Sequence, residues 1–195
     1  IGLDVWAFVA DNLSAAIEND PWREWFLPPS FLEQMIANGW LGEKTKQGFY
    51  KRVGPEKQIH ALDWKTLTYH AAAKPRFASV DALKPVADFG ERMKILFASN
   101  DRAGQFLWDV FKPWFLYSAE MVGEISDRIV EIDRAMRWGF GHRYGPFEFW
   151  DALGFEAVAH RIEESDAPLP ATIRHMLAEK ASSFYRSADR LGFPH

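Results

Sequence analysis

The chain has 195 residues, of which 48% are hydrophobic and 15% aromatic, and it carries a net charge of −4. This composition excludes a disordered chain, and the acidic balance excludes the broad basic surface that nucleic acid or an anionic membrane requires. Cysteine is absent, which excludes disulfides, thiolate metal sites and a cysteine nucleophile, and favours a cytoplasmic protein.

The hydropathy pattern predicts neither a membrane span nor a secretion signal. No apolar run approaches the about 20 residues that cross a bilayer. No basic region precedes an apolar stretch at the N-terminus. We therefore expect a soluble protein.

The first 50 residues read as two helices followed by a loop. Apolar positions at steps of three and four predict a helix from Leu3, with one apolar face of Leu3, Trp6, Ala10, Leu13 and Ile17. The segment missing before this helix should leave Leu3, Trp6 and Leu13 as an exposed apolar patch that favours association. Ser30 can cap a second, short helix that ends at Asn38-Gly39. Residues 40–48 are rich in glycine and lysine, which predicts a basic turn, and Phe49-Tyr50 should follow it in extended form.

The middle of the chain has weaker patterns. Residues 51–78 fit neither the helical nor the strand period and predict an irregular connector. A helix from Ser79 or Asp81 to Val86 and another from Arg92 to Ala98 follow.

The last 95 residues are strongly helical. A long helix should run from about Asp101 to Glu124 and be kinked by Pro113. Ser126 can cap a helix through Arg137. Pro146 should begin the next helix, with Phe147, Trp150, Leu153 and Val158 buried, and Pro170 the last, which carries Ile173, Leu177 and Phe184. The predicted fold class is all-α, in two related halves.

Three short segments occur twice, in the same order. Ile1 to Asp4 matches Leu153 to Glu156, Pro29 to Met35 matches Pro170 to Met176, and Phe49-Tyr50-Lys51 matches Phe184-Tyr185-Arg186. Their offsets drift slowly, from 152 through 141 to 135 residues, as expected when a duplicated module shortens its loops.

The second copy is preceded by an N-terminal segment that the first copy lacks. It comprises Glu131 to Gly139, a glycine-rich loop, and Gly145 to Asp151. We therefore expect that the chain is a piece of a larger protein, divided into a truncated first repeat (1–52), a connector with short helices (53–100) and a second repeat (101–195).

Gly145-Pro146-Phe147-Glu148 has the chemistry of a helix start. Gly145 frees the backbone, Pro146 sets φ, Phe147 docks inward and Glu148 complements the positive end of the helix dipole. This structural role is preferred to a catalytic one for Glu148. Asp151, one turn further on, is expected to orient a loop.

Residues 41–50 could instead handle phosphate. Glycines at 42 and 48 permit close backbone approach, Lys44 and Lys46 supply charge, and Thr45 adds a hydroxyl. The spacing is not that of a nucleotide P-loop, and a solvated turn whose Phe49 and Tyr50 pack on the core is the alternative. The second copy lacks the glycine and lysine, so any ligand role belongs to the first copy.

Other catalytic patterns are missing from the sequence. The six histidines show no zinc spacing, and only His142, in the glycine-rich loop, is of interest. There is no Gly-x-Ser-x-Gly and no Gly-x-Gly-x-x-Gly after a strand. The sequence predicts no metal site, no cofactor site and no catalytic set in this chain.

Three segments together resemble the C-terminal helical domain of the 3-hydroxyacyl-CoA dehydrogenases, present here twice: Ile1 to Trp6, Leu41 to Tyr50 and Glu131 to Gly154. The family's glycine-lysine-threonine loop ending in Gly-Phe-Tyr matches Gly42 to Tyr50. Its Asp-x-Ala-Met, Gly-Pro-Phe-Glu, Asp and Leu-Gly pattern matches Asp133 to Gly154. The duplicated form is similar to multifunctional β-oxidation proteins, in which an enoyl-CoA hydratase is fused to the dehydrogenase.

The resemblance implies a helical fold like the C-terminal domain of 6-phosphogluconate dehydrogenase. It also implies that a separate domain binds NAD and supplies catalysis, so no catalytic residue carries over to this chain. The helical part would close one wall of the acyl-CoA cleft, with Lys44 and Lys46 as candidate phosphate contacts. The two halves would pack about a pseudo-two-fold axis, and the truncated first half could self-associate.

Two other interpretations remain open. The chain could be a free-standing all-α module that binds a protein partner through its tryptophans, in which case it should begin at a clean helix cap. It could also serve a hydroxy-acid or sugar-acid dehydrogenase, although Gly-Pro-Phe-Glu and the Gly-Phe-Tyr loop argue against that substrate class.

Overall fold

The computed structural model describes residues 2–165 and 167–185, and it divides the chain into two compact units. Unit 1 spans residues 1–75 and unit 2 spans residues 76–195. Ile1 and Arg186, which take part in the predicted repeat, lie outside the described residues.

Unit 1 begins with the two predicted helices, α1 (Leu3–Ala16) and α2 (Ser30–Ala37). A 3-10 turn, Arg23–Phe26, packs against α1, and the Arg23 Nε donates to the carbonyl of Ser14 at 2.7 Å. The buried face of α1 therefore carries Ala10 and Ser14. Trp6 and Leu13, which lie on the predicted apolar stripe, are 48% and 40% exposed.

The connector contains a sheet, so the prediction of an irregular segment at 51–78 was wrong. Strands β1 (Tyr50–Val53), β2 (Gln58–Asp63) and β3 (Thr68–Ala71) form an antiparallel meander in that order. Its tight turns place Gly54, Lys57 and Leu67 at positive φ, and hairpins of this kind outweigh a poor sequence period. The all-α prediction is corrected accordingly: the fold is mainly helical with one small sheet.

One face of this sheet is anchored on aromatic side chains. Leu62 pairs with Tyr69 across β2 and β3, the ring of Trp40 lies 5.3 Å from that of Tyr69, and the Tyr69 hydroxyl donates to the carbonyl of Gly48 at 2.5 Å. The sheet thus holds the end of the glycine-lysine loop in place.

In its described residues, unit 2 consists of helices joined by loops. Its helices are α3 (Ala78–Ala82), α4 (Phe89–Phe97), α5 (Arg102–Glu120), α6 (Ile129–Phe140), α7 (Pro146–Leu153), α8 (Phe155–Glu163) and α9 (Ala171–Ala178).

Most helices of unit 2 lie where the sequence predicts them, but several boundaries differ. Asp101 caps α5, which continues through Pro113 and ends at Glu120. The N-cap of α6 is Arg128, not Ser126. Gly154, at φ 106°, breaks the single helix predicted from Pro146 into α7 and α8, since only glycine adopts this backbone without strain.

The core of unit 2 is built from aromatic rings. Phe115 and Trp150 are fully buried, with ring centroids 5.3 Å apart. Phe149 lies 5.1 Å from Phe111 and 5.7 Å from Phe97. These contacts pack α7 on α4 and α5 and hold the start of α7 rigidly.

No helix among residues 2–165 and 167–185 combines the length and the apolar character needed to cross a membrane.

Candidate functional site

The lysine loop, residues 41–48, is a closed turn in unit 1. Gly42 and Gln47 exchange backbone hydrogen bonds of 2.7 and 3.1 Å. A Cβ on Gly48 would lie 2.8 Å from the Cα of Gly42, so close backbone approach requires glycine at position 48, and the φ of 111° requires it at position 42. The Thr45 hydroxyl accepts from the Leu41 amide and lies 3.0 Å from the Gln47 carbonyl. The loop is therefore fixed before any ligand binds.

The two lysines of this loop differ in their surroundings. Lys44 Nζ lies 2.6 Å from Asp4 Oδ2, and this contact lowers the pKa of the Asp4 carboxyl. Lys46, at φ 58°, is 80% exposed and lies 3.4 Å from Glu43 Oε1. Lys44 thus joins the loop to α1, whereas the charge of Lys46 faces solvent.

A shallow depression lies beside Lys46. It has a volume of about 360 Å³ and is lined by Glu43, Lys46, Tyr50, Lys51, Arg52 and Ile59. Arg52 shares the Glu43 oxygen with Lys46 at 3.4 Å. Because one exposed carboxylate faces more than one cation, the depression has a basic character.

In unit 2, Gly145-Pro146-Phe147-Glu148 begins α7. Glu148 Oε2 accepts from the Gly145 amide at 3.0 Å in a capping box, Pro146 takes the first turn and Phe147 is buried. Glu148 Oε1 also accepts from Arg137 at 2.9 Å. The carboxylate is thus held on both oxygens by structural partners.

Asp133 is the residue of this region that sequence reasoning missed. It is 1% exposed. Its carboxylate accepts from the amides of Phe147 at 2.9 Å and Glu148 at 3.1 Å, and from the Tyr185 hydroxyl at 2.6 Å. Burial, which outweighs these donors, raises the pKa of Asp133 to about 6. The sequence did contain a signal for its role, because Asp133 is the first residue of the Asp133 to Gly154 motif and lies on an amphipathic helix.

Asp151 holds the segment that follows α9. Its two carboxylate oxygens accept from the amides of Phe184 at 2.8 Å and Tyr185 at 3.0 Å. The predicted final helix ends at Ala178, so Phe184 lies beyond it. This arrangement fits a loop-orienting role.

The carboxylates of unit 2 border a pocket of about 320 Å³. It is lined by Arg137, Arg143, Tyr144, Glu148, Asp151, Ala152 and Tyr185. Asp151 and Glu148 are already engaged by the hydrogen bonds described above. Both carboxylates therefore make structural hydrogen bonds at the edge of this pocket.

The described residues contain no group of three or more His, Asp or Glu side chains that could hold a metal ion. The ring of His142 instead packs 5.6 Å from that of Trp114 and 6.3 Å from that of Phe140.

Most of unit 2 matches a known family of protein domains. Residues 106–192 match the model described as 3-hydroxyacyl-CoA dehydrogenase, C-terminal domain. This match covers 87 of the 195 residues and lies within unit 2. The Asp133 to Gly154 motif lies within the matched residues.

Curated relatives extend the similarity along the chain. A Bacillus subtilis (strain 168) protein named "Probable 3-hydroxyacyl-CoA dehydrogenase" is 43% identical over 95% of this chain and 23% of its own length. A Rickettsia felis protein, which carries the name of a fatty acid oxidation complex trifunctional enzyme, is 27% identical over 87% of this chain and 23% of its own length. The chain thus spans about a quarter of these relatives. No solved structure matches it.

Proposed function

We propose that this chain is the C-terminal helical part of an NAD-dependent 3-hydroxyacyl-CoA dehydrogenase, which oxidises a 3-hydroxyacyl-CoA to the 3-oxoacyl-CoA in fatty-acid β-oxidation. The observation that carries the proposal is the family match at residues 106–192, in the unit that holds the Asp133 to Gly154 motif. The Bacillus relative, similar along 95% of the chain, supports it. A cysteine-free composition fits action in the cytoplasm.

The described residues do not fit NAD. The sheet in unit 1 is antiparallel with hairpin connections, whereas dinucleotides bind at the carboxyl ends of parallel strands followed by helices. We propose that another domain of the parent protein binds NAD and supplies catalysis. This chain shapes the acyl-CoA cleft and is inactive alone.

Lys46 and Lys44 are our proposed contacts to the phosphates of coenzyme A. Lys46 is supported by its exposure and by the basic depression beside it. Lys44 would have to exchange its partner Asp4 for phosphate. Replacing both with Ala in the complete enzyme should raise the apparent KM for acyl-CoA, whereas Lys74→Ala, an exposed lysine outside the loop, should not. An unchanged KM in the double variant would remove both residues from the proposal.

We also propose that the chain carries two copies of one helical module, at 1–52 and 101–195, joined by residues 53–100. Local geometry supports this. The amides of Trp40 and Ala181 close the ends of α2 and α9 by bonding to the carbonyls of Met35 and Met176, at 2.8 and 2.9 Å. The preceding residues, Gly39 and Lys180, both have positive φ. All these positions share the offset of 141 residues.

A chimera tests the proposed function directly. Deleting the matching segment from the Bacillus protein should abolish NADH formation from NAD and 3-hydroxybutyryl-CoA, and inserting this chain should restore it. Inserting the chain with its two units in reversed order is the control. A correctly folded chimera that lacks the activity would contradict the proposal.

Calorimetric titration of this chain with NADH and with acetoacetyl-CoA tests whether NAD binds to another domain while acyl-CoA contacts this chain. We expect no heat from NADH. Heat with acetoacetyl-CoA alone would place part of the cleft in this chain. Specific binding of NADH would overturn the assignment of the cofactor to another domain.

A further inference from the structure

The segment after α9 shows how this module uses its Phe-Tyr pair. The ring of Phe184 lies between those of Phe147, Trp150 and Phe155, with centroid distances of 5.0, 5.4 and 5.0 Å. Asp151 accepts both backbone amides of the pair, and Asp133 accepts the Tyr185 hydroxyl. Helices α6 and α7, together with Phe155 at the start of α8, therefore enclose the Phe184-Tyr185 pair, and we call this pocket the socket.

Phe49 and Tyr50, the matching pair of unit 1, have no such socket among the described residues. Their side chains are 42% and 64% exposed. The ring of Phe49 lies 6.2 Å from Phe31, and the Tyr50 hydroxyl has no hydrogen-bond partner in the described part of the chain. Two aromatic side chains with the same sequence context thus differ sharply in burial.

Helix α1, which the repeat aligns with α8, differs in the same way. Val158 of α8 is 5% exposed because α7 packs on α8. Trp6, at the matching position of α1, is 48% exposed. Leaving half of such a large apolar side chain in water is unfavourable. We call Trp6, Phe49 and Tyr50 the open face of unit 1.

We propose that the open face binds a helix pair with the chemistry of α6 and α7, supplied by polypeptide outside these 195 residues. The partner would present an aromatic pocket for Phe49 and a buried carboxylate for the Tyr50 hydroxyl, with a second carboxylate on the other helix of the pair, as Asp133 and Asp151 are placed on α6 and α7. The proposal rests on the repeat proposed above. We choose this occupant for two reasons. In unit 2, α6 and α7 hold the matching aromatic pair, and the relatives are about four times as long as this chain.

A second copy of this chain is a poorer occupant. Its own α6 and α7 already hold Phe184 and Tyr185, so docking on another copy would first require their release. Charge-assisted hydrogen bonds to both carboxylates oppose that release.

The chain itself supplies a probe. A labelled peptide with the sequence of residues 129–155 should bind the full chain saturably, as measured by fluorescence anisotropy. Binding should weaken at least about tenfold, or about 1.4 kcal/mol, when Phe49→Ala and Tyr50→Phe are combined in the chain, or when the peptide carries Asp151→Asn. Ile125→Ala, an exposed apolar residue of unit 2, is the control in the chain.

A fused version of the probe removes the uncertainty over peptide folding. Residues 129–155 joined to the N-terminus of the chain through a flexible linker act at high effective concentration. We expect the Tm of the chain to rise, and the rise to be lost when the fused segment carries Asp133→Asn and Asp151→Asn. Absence of both peptide binding and a Tm rise, or a rise that survives these changes, would overturn the proposal. The chimera assay does not involve the probe, so failure here leaves the proposed function intact.

Discussion

At the scale of single residues, Asp133 joins three parts of unit 2. Its carboxylate lies on α6, accepts two amides from the first turn of α7, and accepts the hydroxyl of Tyr185. A buried carboxylate is costly unless it is fully hydrogen-bonded. Asp133 satisfies that condition only while all three segments stay together, so it makes their positions interdependent.

Gly145 permits this arrangement through its missing side chain. A Cβ at Gly145 would overlap Asp133, so Gly145→Ala should destabilise the protein by about 1 to 3 kcal/mol through overpacking. Gly139→Ala is the matched control, because a Cβ there meets nothing within 4 Å and alanine favours a helix. Urea unfolding measures both variants, and equal midpoints would contradict the expectation.

The protonation of Asp133 gives a pH dependence of unusual sign. Burial raises its pKa from 3.8 to about 6, so the folded state binds the proton more tightly than the unfolded state. The resulting stability is fully present below pH 3.8 and is lost as the pH rises through about 6, by an amount of the order of 3 kcal/mol. Relative to Asp133→Asn, the wild type should therefore lose unfolding free energy between pH 4.5 and 7.

A second variant checks that prediction. Tyr185→Phe removes a donor that lowers the pKa of Asp133, so the midpoint of the pH dependence should move to higher pH. Parallel stability profiles for the wild type and Asp133→Asn would exclude Asp133 as the source.

Residue roles were only partly predictable from the sequence. The helix-start chemistry of Pro146 and Glu148 depends on adjacent residues, and the pattern reveals it. The contacts of Asp133 with Tyr185 span 52 residues, and no local pattern encodes such a distance. The partner of Lys44, Asp4, is 40 residues away and was missed for the same reason.

At the scale of elements, the order of helices follows the sequence but the sheet does not. Helices with a long apolar stripe, such as α5, were predicted to within a few residues at each end. The meander of β1 to β3 was missed because many of its side chains are exposed, which removes the alternation that marks a half-buried strand. Its turns depend on positive φ at Lys57 and Leu67, and neither lysine nor leucine predicts positive φ.

Asp101 shows how one cap can join elements. It accepts from Ala103 and Gly104 at the start of α5, and also from the amide and hydroxyl of Ser79 in α3. Asp101→Ala should therefore lower the Tm more than Asp88→Ala, since the Asp88 carboxylate caps α4 by accepting one hydrogen bond, from the Glu91 amide. These donors hold the pKa of Asp101 well below its usual range, so its contribution is present above pH 4 and fades in strong acid. Equal Tm losses would refute the joining role.

At the scale of the whole molecule, the buried apolar side chains are unevenly divided. Among the described residues, unit 1 buries the apolar side chains of Ala10, Leu32 and Met35, whereas every buried large aromatic side chain lies in unit 2: Phe97, Trp108, Phe115, Phe147, Phe149, Trp150 and Phe155. Since apolar burial is the main stabilising term, unit 2 should be the more stable unit.

Hydrogen exchange followed by mass spectrometry tests this difference. Amides of α1 and α2 should exchange faster than those of α5, α7 and α8, because regions with few buried contacts open with a lower free energy. Equal protection in both units would show that they unfold as one. Addition of the 129–155 peptide should slow exchange in α1 if the open face is its binding site.

Tyr50 and Tyr185, which the proposed repeat aligns, should also differ in chemical reactivity. Burial and three neighbouring carboxylates raise the pKa of the Tyr185 hydroxyl well above its usual range, while Tyr50 is 64% exposed. Nitrating reagents attack the phenolate ring, so Tyr50 should be modified while Tyr185 is spared. A nitro group on Tyr50 is a coloured reporter whose absorbance depends on its surroundings. The molecule therefore offers a natural labelling position at the surface where we expect a partner, without an engineered cysteine.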